Sequence, residues 1–306
     1  MNRNVAILMA VRNGQDYLPN QLQSFLEQTY KHWSLYVSDD GSEDATVKII
    51  DDFFSSHLDV QGGLSPGPCR GFCQNFQSLI NNQEIQSEYY AFSDQDDIWL
   101  PEKLQKAVEY LNSVPADIPA LYCSSTTLID SENHTIGESL HPRKPLGFAN
   151  ALLHNIASGN TMVFNHRARE LLRAASSDMM VVHDWSLYQI VSACGGFVHF
   201  DKTPTVLYRQ HVNNVIGDGR NILLRGRNFF QSLSGDRRNW NDRNRIVLSN
   251  LLDSFTVSAK NVFDDYYSIR LGNLFQRLKY FRRSGVYHQY KLGTLSTIIY
   301  VCTGKM

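Results

Sequence analysis

The stretch Tyr89-Tyr90-Ala91-Phe92-Ser93-Asp94-Gln95-Asp96-Asp97-Ile98-Trp99 constrains the fold more than any other part of this chain. Its apolar half has the length of a buried strand of about five residues, and it breaks into three carboxylates within four positions. Such a tip is costly to bury unless something cationic faces it. Mg2+ and Mn2+ are commonly held by one or two carboxylates together with substrate phosphate oxygens, so the block suits a metal–diphosphate site. On extended backbone Asp94 and Asp96 point one way and Asp97 the other. The competing explanation is a solvated acidic turn ahead of a helix opened by Pro101 and Glu102, with Asp97 as a first-turn carboxylate.

The amino-terminal half supplies the context. Val5 to Ala10 reads as a buried strand broken by Arg12-Asn13-Gly14, and Leu18, Leu22, Phe25 and Leu26 then recur at helical spacing between Tyr17 and Gln28. Leu35-Tyr36-Val37 repeats the pattern. It runs into Ser38-Asp39-Asp40-Gly41-Ser42, and Val47, Ile49, Ile50, Phe53 and Phe54 mark the next helix. Alternating strands and helices predict a mostly parallel sheet flanked by helices, an α/β architecture of Rossmann-like type. Ligands of such sheets bind at the carboxyl ends of the strands, where Asp39, Asp40, Asp94 and Asp96 all fall. For Asp39 and Asp40 a turn capped by Ser42 or Asp44 remains the plainer alternative.

The segments Val5 to Asn13, Gln28-Thr29-Tyr30, Asp39-Asp40-Gly41-Ser42 and Asp94-Gln95-Asp96-Asp97-Ile98-Trp99 stand in the order seen in family 2 glycosyltransferases. The chain resembles their GT-A fold from about residue 3 to about residue 215, and the Asp-Gln-Asp-Asp-Ile-Trp form is most similar to bacterial rhamnosyltransferase-type enzymes of surface polysaccharide synthesis. The resemblance implies an inverting transfer from a nucleotide-diphosphate sugar with a divalent metal, Mn2+ or Mg2+. The donor it suggests is dTDP-L-rhamnose, and the acceptor a hydroxyl of a glycan or lipid-linked glycan.

Carried over position by position, the resemblance assigns Asp40 a base-and-ribose contact, with Asp39 beside it and Ala10, Arg12 and Asn13 lining the same pocket. Asp94 and Asp96 match the metal-binding motif, with Asp96 as the direct ligand. Arg70, in a Pro68-Cys69-Arg70-Gly71 segment that departs from the family's Asn-x-Gly, becomes a phosphate or base contact, or else an ordinary surface arginine. Asp184 in His183-Asp184-Trp185 falls where the family keeps its general base. By itself it would read as a helix cap. Trp185 is suited to stacking on an acceptor sugar or to core packing. In Ser158-Gly159-Asn160-Thr161, the small-residue loop lets backbone at Gly159 and Asn160 approach the donor, unless it is simply a turn. Tyr208-Arg209-Gln210-His211 through Asn214 resembles a pattern whose His completes the metal shell, with Arg209 and Asn214 facing the diphosphate.

Two further readings stand beside this one within the same fold: a UDP-hexose-dependent transferase, and a non-catalytic nucleotide-sugar-binding module. Asp184 argues against the module, because binding alone needs no base. A phosphotransferase with an aspartate nucleophile also uses a strand followed by Asp-x-Asp. There, however, the motif lies on the first strand and continues into Gly and Thr.

A net charge of −1 and a 42% hydrophobic content over 306 residues exclude a disordered chain and a basic nucleic-acid binder. Cys69, Cys73, Cys123, Cys194 and Cys302 lack zinc-site spacing, and their odd number fits reduced thiols in the cytoplasm. Met1 to Asn4 run straight into the first strand, which is read as the lack of a signal peptide. The organisation expected is a catalytic unit over 1–216, with a nucleotide-binding half over 1–100 and an acceptor-binding half over 101–216, and a helical basic extension over 217–306. Leu223, Leu224, Phe229, Phe230, Leu233 and Ile246 mark apolar faces in that extension. From Tyr266 to Met306 there is no Asp or Glu but seven Lys or Arg: Arg270, Arg277, Lys279, Arg282, Arg283, Lys291 and Lys305. Interleaved with Leu274, Phe275, Leu278, Tyr280 and Phe281, they suit an anionic membrane surface, at the inner face of the plasma membrane, or a solvated helix packed on the catalytic unit. The apolar run Leu292–Cys302 is about half a membrane span. Self-association into a homo-oligomer is left open.

Overall fold

The computed structural model describes residues 3–210 and 236–306, with side chains from residue 238 onward in the second stretch. The central sheet has the strand order β3-β2-β1-β4-β8-β6-β9-β5, with β7 (Thr135–Glu138) paired to β6. β1 (Val5–Val11), β2 (Trp33–Asp39), β3 (Gly62–Pro66) and β4 (Tyr89–Ser93) are mutually parallel. β8 (Val163–Asn165) runs antiparallel to both β4 and β6 (Ala120–Ile129). β9 (Phe197–Arg209) lies parallel to β6, and the two-residue β5 (Ile98–Trp99) closes the edge antiparallel to β9.

β1 is buried along almost its whole length because helices cover both faces of the sheet. Its side chains divide with a period of two: Ala6 and Leu8 enter one apolar layer, and Val5, Ile7, Met9 and Val11 enter the other. The second layer holds α1 (Leu18–Leu26), α2 (Thr46–Ser56) and α4 (Lys103–Asn112) through Leu22, Phe25, Ile50, Phe53, Leu104 and Leu111. The first holds α3 (Phe72–Asn81), α5 (Phe148–Ala151), α6 (His166–Ala174) and α7 (His183–Ala193). The expected first helix over Tyr17–Gln28 is thus present and shorter by a residue or two at each end.

The carboxy-terminal helices α8 (Asp236–Ser249), α9 (Val257–Ser268), α10 (Leu274–Ser284) and α11 (Lys291–Thr303) add to the first layer. Val247, Leu248, Phe263, Tyr266, Tyr267, Ile269, Val286, Tyr300, Val301 and Met306 are buried in the same cluster as Phe76, Phe92 and Leu187. Ile246 on α8 is exposed, while Leu223, Leu224, Phe229, Phe230 and Leu233 lie outside the described residues. All five cysteines are free thiols. Among the described residues no helix is long and apolar enough to cross a membrane.

Candidate active site

The acidic block sits where β4 ends. Asp94, Gln95 and Asp96 are half-buried, and Asp97 turns inward with no exposed surface. Gln95 fixes the loop in place: its Oε1 accepts from the Arg12 amide at 2.8 Å and its Nε2 donates to the Arg12 carbonyl at 2.9 Å. Burial, then the neighbouring charges of Asp96 and Asp184, push the Asp94 carboxyl up to about 7. Carboxylates crowded in this way favour a cation among them. Among the described residues no group of three or more His, Cys, Asp or Glu side chains converges on one point. Asp94 and Asp96 could supply the one or two carboxylates with which Mg2+ or Mn2+ is held when diphosphate oxygens and water complete the shell.

Beneath the loop lies a buried polar network. Asp97 accepts from Asn160 Nδ2 at 2.6 Å and from the Arg209 amide at 3.2 Å. Lys103, fully buried at the start of α4, donates to the Asn160 carbonyl at 3.1 Å and sits 4.5 Å from the Trp99 ring centroid. Desolvation, then the charges of Asp96 and Asp94, push the Asp97 carboxyl well up. Desolvation also lowers the Lys103 ammonium to about 7, against the pull of the Asp97 charge. The Arg209 guanidinium is likewise buried. It donates to the carbonyls of Asp96 at 2.9 Å, Asp130 at 3.0 Å and Ser131 at 3.2 Å, and stacks over Tyr17. Asn160 and Arg209 thus have side chains committed to holding the acidic loop.

The loops after β1 and β2 form the neighbouring wall. Asn13, at φ +48°, receives Glu43 N–H on its side chain and donates its own amide to Ser42 Oγ, both at 2.8 Å. Ala10 is half-buried opposite Ser38 in the β1–β2 register. Asp39 accepts from the Ser42 amide at 3.0 Å and from its hydroxyl, so it caps its own turn. Asp40 is buried and accepts from Gly71 N–H at 2.7 Å and Arg70 N–H at 3.3 Å, at the amino end of α3. Gly71 has φ +92°, a conformation that glycine adopts without strain. The two bonds leave lone pairs of the Asp40 carboxylate for a ligand. The Arg70 guanidinium reaches the surface and pairs with Asp178 at 3.0 Å. An exposed pair of this kind is weak and easily exchanged.

Across from the acidic block, Asp184 stands in the first turn of α7. It accepts from Gly159 N–H at 2.9 Å, from Asn155 Nδ2 at 3.0 Å and from the Trp185 amide. Burial nevertheless dominates and pushes its carboxyl up to about 6. Gly159 makes a close approach: a Cβ there would lie 3.1 Å from Asp184 Cβ and 3.3 Å from His183 Nε2. His183 is buried, stacks 3.9 Å from the Phe76 ring, and has no hydrogen-bond partner for either ring nitrogen among the described residues. Its pKa is lowered to about 3 by burial, so it packs as a neutral aromatic ring. Trp185 donates Nε1–H to the Ala151 carbonyl at 2.6 Å and leans on Trp240.

The structure thus places Asp94 and Asp96 on the same side of the sheet as Asp184, with Ala10 and Asp39 near the ends of β1 and β2 and Arg12, Asn13 and Asp40 on the loops that follow. His211 and Asn214 lie outside the described residues. Sequence reasoning missed Gln95, Asn155 and Lys103. Lys103 had a signal, since it continues the apolar stripe of Ala107 and Leu111 on α4. A charge at that register has to be buried and partnered.

A parallel β3-β2-β1-β4 run with its acidic block at the carboxyl edge, flanked by helices and continued by mixed strands, is the GT-A arrangement. The chain belongs to glycosyl transferase family 2, which matches residues 6–170. It is 29% identical over 259 residues to the dTDP-rhamnosyl transferase RfbG of Shigella flexneri, covering 81% of this chain and 86% of that protein. Its fold is similar to that of S. aureus TarS 1–349 in complex with UDP-GlcNAc, at a TM-score of 0.53 and 12% identity, with 93% of each chain covered. It is also similar to the mannosyltransferase PcManGT of Pyrobaculum calidifontis in complex with GDP-Man and Mn2+, with the same TM-score and 16% identity over 100% of this chain and 86% of that one.

Proposed function

We propose that this glycosyltransferase moves L-rhamnose from dTDP-L-rhamnose to a hydroxyl of a glycan or lipid-linked glycan, with inversion at the anomeric carbon. The observation that carries the reading is the placement of Asp184 beside the acidic block: it accepts from Gly159 N–H at 2.9 Å, while the next residue, Asn160, donates to Asp97 at 2.6 Å. The rhamnosyl donor is supported by the relative of 29% identity. Asp40 and the Ala10, Arg12 and Asn13 loop would hold the nucleoside, with Asp39 keeping its turn in shape and Arg70 free to leave Asp178 for a phosphate. Gly159 would present backbone to the sugar, with Trp185 beside the acceptor. Asp94 and Asp96 would hold a divalent cation, which when bound neutralises charge on the leaving diphosphate. Arg209, through its bond to the Asp96 carbonyl, keeps those carboxylates in position.

Asp184 acts as the general base. It takes the acceptor's hydroxyl proton as that oxygen bonds to the anomeric carbon, while the bond from carbon to diphosphate oxygen breaks and its electron pair leaves with the diphosphate. Attack opposite the leaving group, in one displacement through an oxocarbenium-like state, inverts the configuration. A carboxyl raised to about 6 is a stronger base than an ordinary aspartate and is still mostly ionised at neutral pH.

The test is a panel of dTDP-β-L-rhamnose, UDP-hexoses and GDP-mannose with Mn2+, scored for nucleoside diphosphate release and product configuration. Turnover of the rhamnosyl donor to an α-rhamnoside is expected, because a single displacement on a β-linked donor inverts it. A β-rhamnoside would require two displacements and overturns the single-base mechanism. Preference for a UDP-hexose overturns the donor assignment.

A further inference from the structure

We propose that α10 and α11 form a docking face for an anionic phospholipid bilayer, so that the enzyme lies on a membrane surface without crossing it. Eight of the seventeen exposed large apolar residues among those described lie between Leu271 and Ile299. On α10 and just before it, Leu271, Leu274, Phe275 and Leu278 are 78%, 51%, 79% and 43% exposed. Within α10 the spacing of Leu274, Phe275 and Leu278 places them on one helical stripe, and Leu271 lies in the turn just before the helix. On α11, Leu292, Leu295 and Ile299 repeat the pattern, with Ile298 beside them.

The two helices are neighbours tied by Arg277, which donates to the Gly272 carbonyl at 2.8 Å and to the Cys302 carbonyl at the end of α11 at 3.3 Å. α10 packs on the core through the half-buried Tyr280 and Phe281, and α11 through the buried Tyr300 and Val301. The capping box of Asn273 and Gln276 fixes the start of α10. The exposed face is therefore presented by a folded scaffold.

Charge identifies the occupant. Seven cations and no carboxylate occur from Tyr266 to Met306. The fold gives them different partners. Arg270 pairs with Asp242, Arg283 pairs with Asp265 at 3.3 Å, and Arg277 is the helix tie. Lys279, Arg282 and Lys291 are exposed, with no carboxylate partner among the described residues. Apolar residues beside unpaired cations suit a surface that is apolar within and negative at its rim, which describes an anionic bilayer. The thirteen residues of α11 are about 20 Å long, against a hydrocarbon core of about 30 Å, so the helix fits the interface and not a span.

Co-sedimentation of the full-length protein with phosphatidylcholine vesicles, with and without phosphatidylglycerol, tests this. Neither donor nor acceptor is needed, so the outcome does not depend on the donor assigned above. Binding to the anionic vesicles that weakens with salt is expected. The triple variant Lys279→Glu, Arg282→Glu, Lys291→Glu should bind at least about 100-fold more weakly, from roughly fivefold per lost cation. Phe275→Ser with Leu295→Ser should also release the protein while leaving its melting temperature and nucleoside diphosphate binding unchanged. Wild-type protein that ignores anionic vesicles overturns the proposal, as does equal binding by the charge-reversed variant. A concentration-dependent dimer that Phe275→Ser dissociates, without vesicle binding, would assign the face to a second copy of the chain and overturn it as well.

Discussion

Asp184 is held by three donors and still has a raised pKa, because desolvation outweighs the hydrogen bonds. Two consequences have definite signs. Catalysis needs the ionised form, so kcat/KM should climb with pH and level off above about 6. The fold prefers the protonated form, so this group's contribution to stability falls as pH rises from 3.8 through about 6. Asp184→Asn should therefore retain dTDP binding, lose transfer by roughly 100-fold or more, and melt higher than wild type at pH 8 by an amount that disappears toward pH 4. Loss of nucleotide binding with turnover retained would move Asp184 into the nucleotide pocket. Asp96→Ala is expected to act on a different quantity. Removing one carboxylate from a site with so few protein ligands should abolish the Mn2+-dependent part of nucleoside diphosphate affinity, with circular dichroism unchanged. Calorimetry with and without Mn2+ measures it, and equal metal dependence in the variant would sink the assignment.

At the scale of elements, the site depends on a close approach between the short loop Gly159–Thr161 and the first turn of α7. Gly159→Ala places a methyl group 3.1 Å from Asp184 Cβ and 3.2 Å from its carboxylate. Displacements near 1 Å at a reacting group cost about 100-fold. Relieving this contact takes a shift of a few tenths of an ångström, so turnover should fall by roughly two- to tenfold with nucleotide affinity retained, and an unchanged rate would show that the loop yields freely. The elements legible in the sequence were those whose pattern is local: β1, β2 and β4 as apolar runs ending in polar breaks, and α1 and α2 as 3.6-residue stripes. The order of β8, β6, β9 and β5 was not legible, since antiparallel insertion of a three-residue strand and a two-residue edge strand leaves no periodic trace. The acidic block and Asp184 were legible as residue types. What holds them was less so, because Arg209 and Lys103 bind backbone carbonyls, which every residue carries and no side chain announces.

The basic carboxy-terminal segment reads in sequence either as a surface-seeking tail or as a helix packed on the catalytic unit, and the folded molecule uses opposite faces for the two properties. Exposed apolar and basic side chains lie outward, while Tyr266, Tyr267, Ile269, Val286, Tyr300, Val301 and Met306 are buried in the layer that contains α3 and α7. Truncation after Asp265 would strip these contacts and expose their partners, among them Phe263 and Leu152, whose carbonyl accepts from the Tyr266 hydroxyl at 3.3 Å. Burying one large apolar side chain is worth about 1.5–3 kcal/mol, and a domain's entire stability is about 5–15 kcal/mol. The partners left uncovered on the first apolar layer lose burial of this order, a large share of that total. The truncated chain should be insoluble or melt without a cooperative transition, including in assays with a water-soluble acceptor where no membrane is present. The triple charge reversal on α10 and α11, which leaves every buried contact in place, should melt within a few degrees of wild type. A truncated chain that folds cooperatively and retains metal-dependent nucleotide binding would show that the segment is a separable appendage, and that the shared core contributes far less than its burial implies.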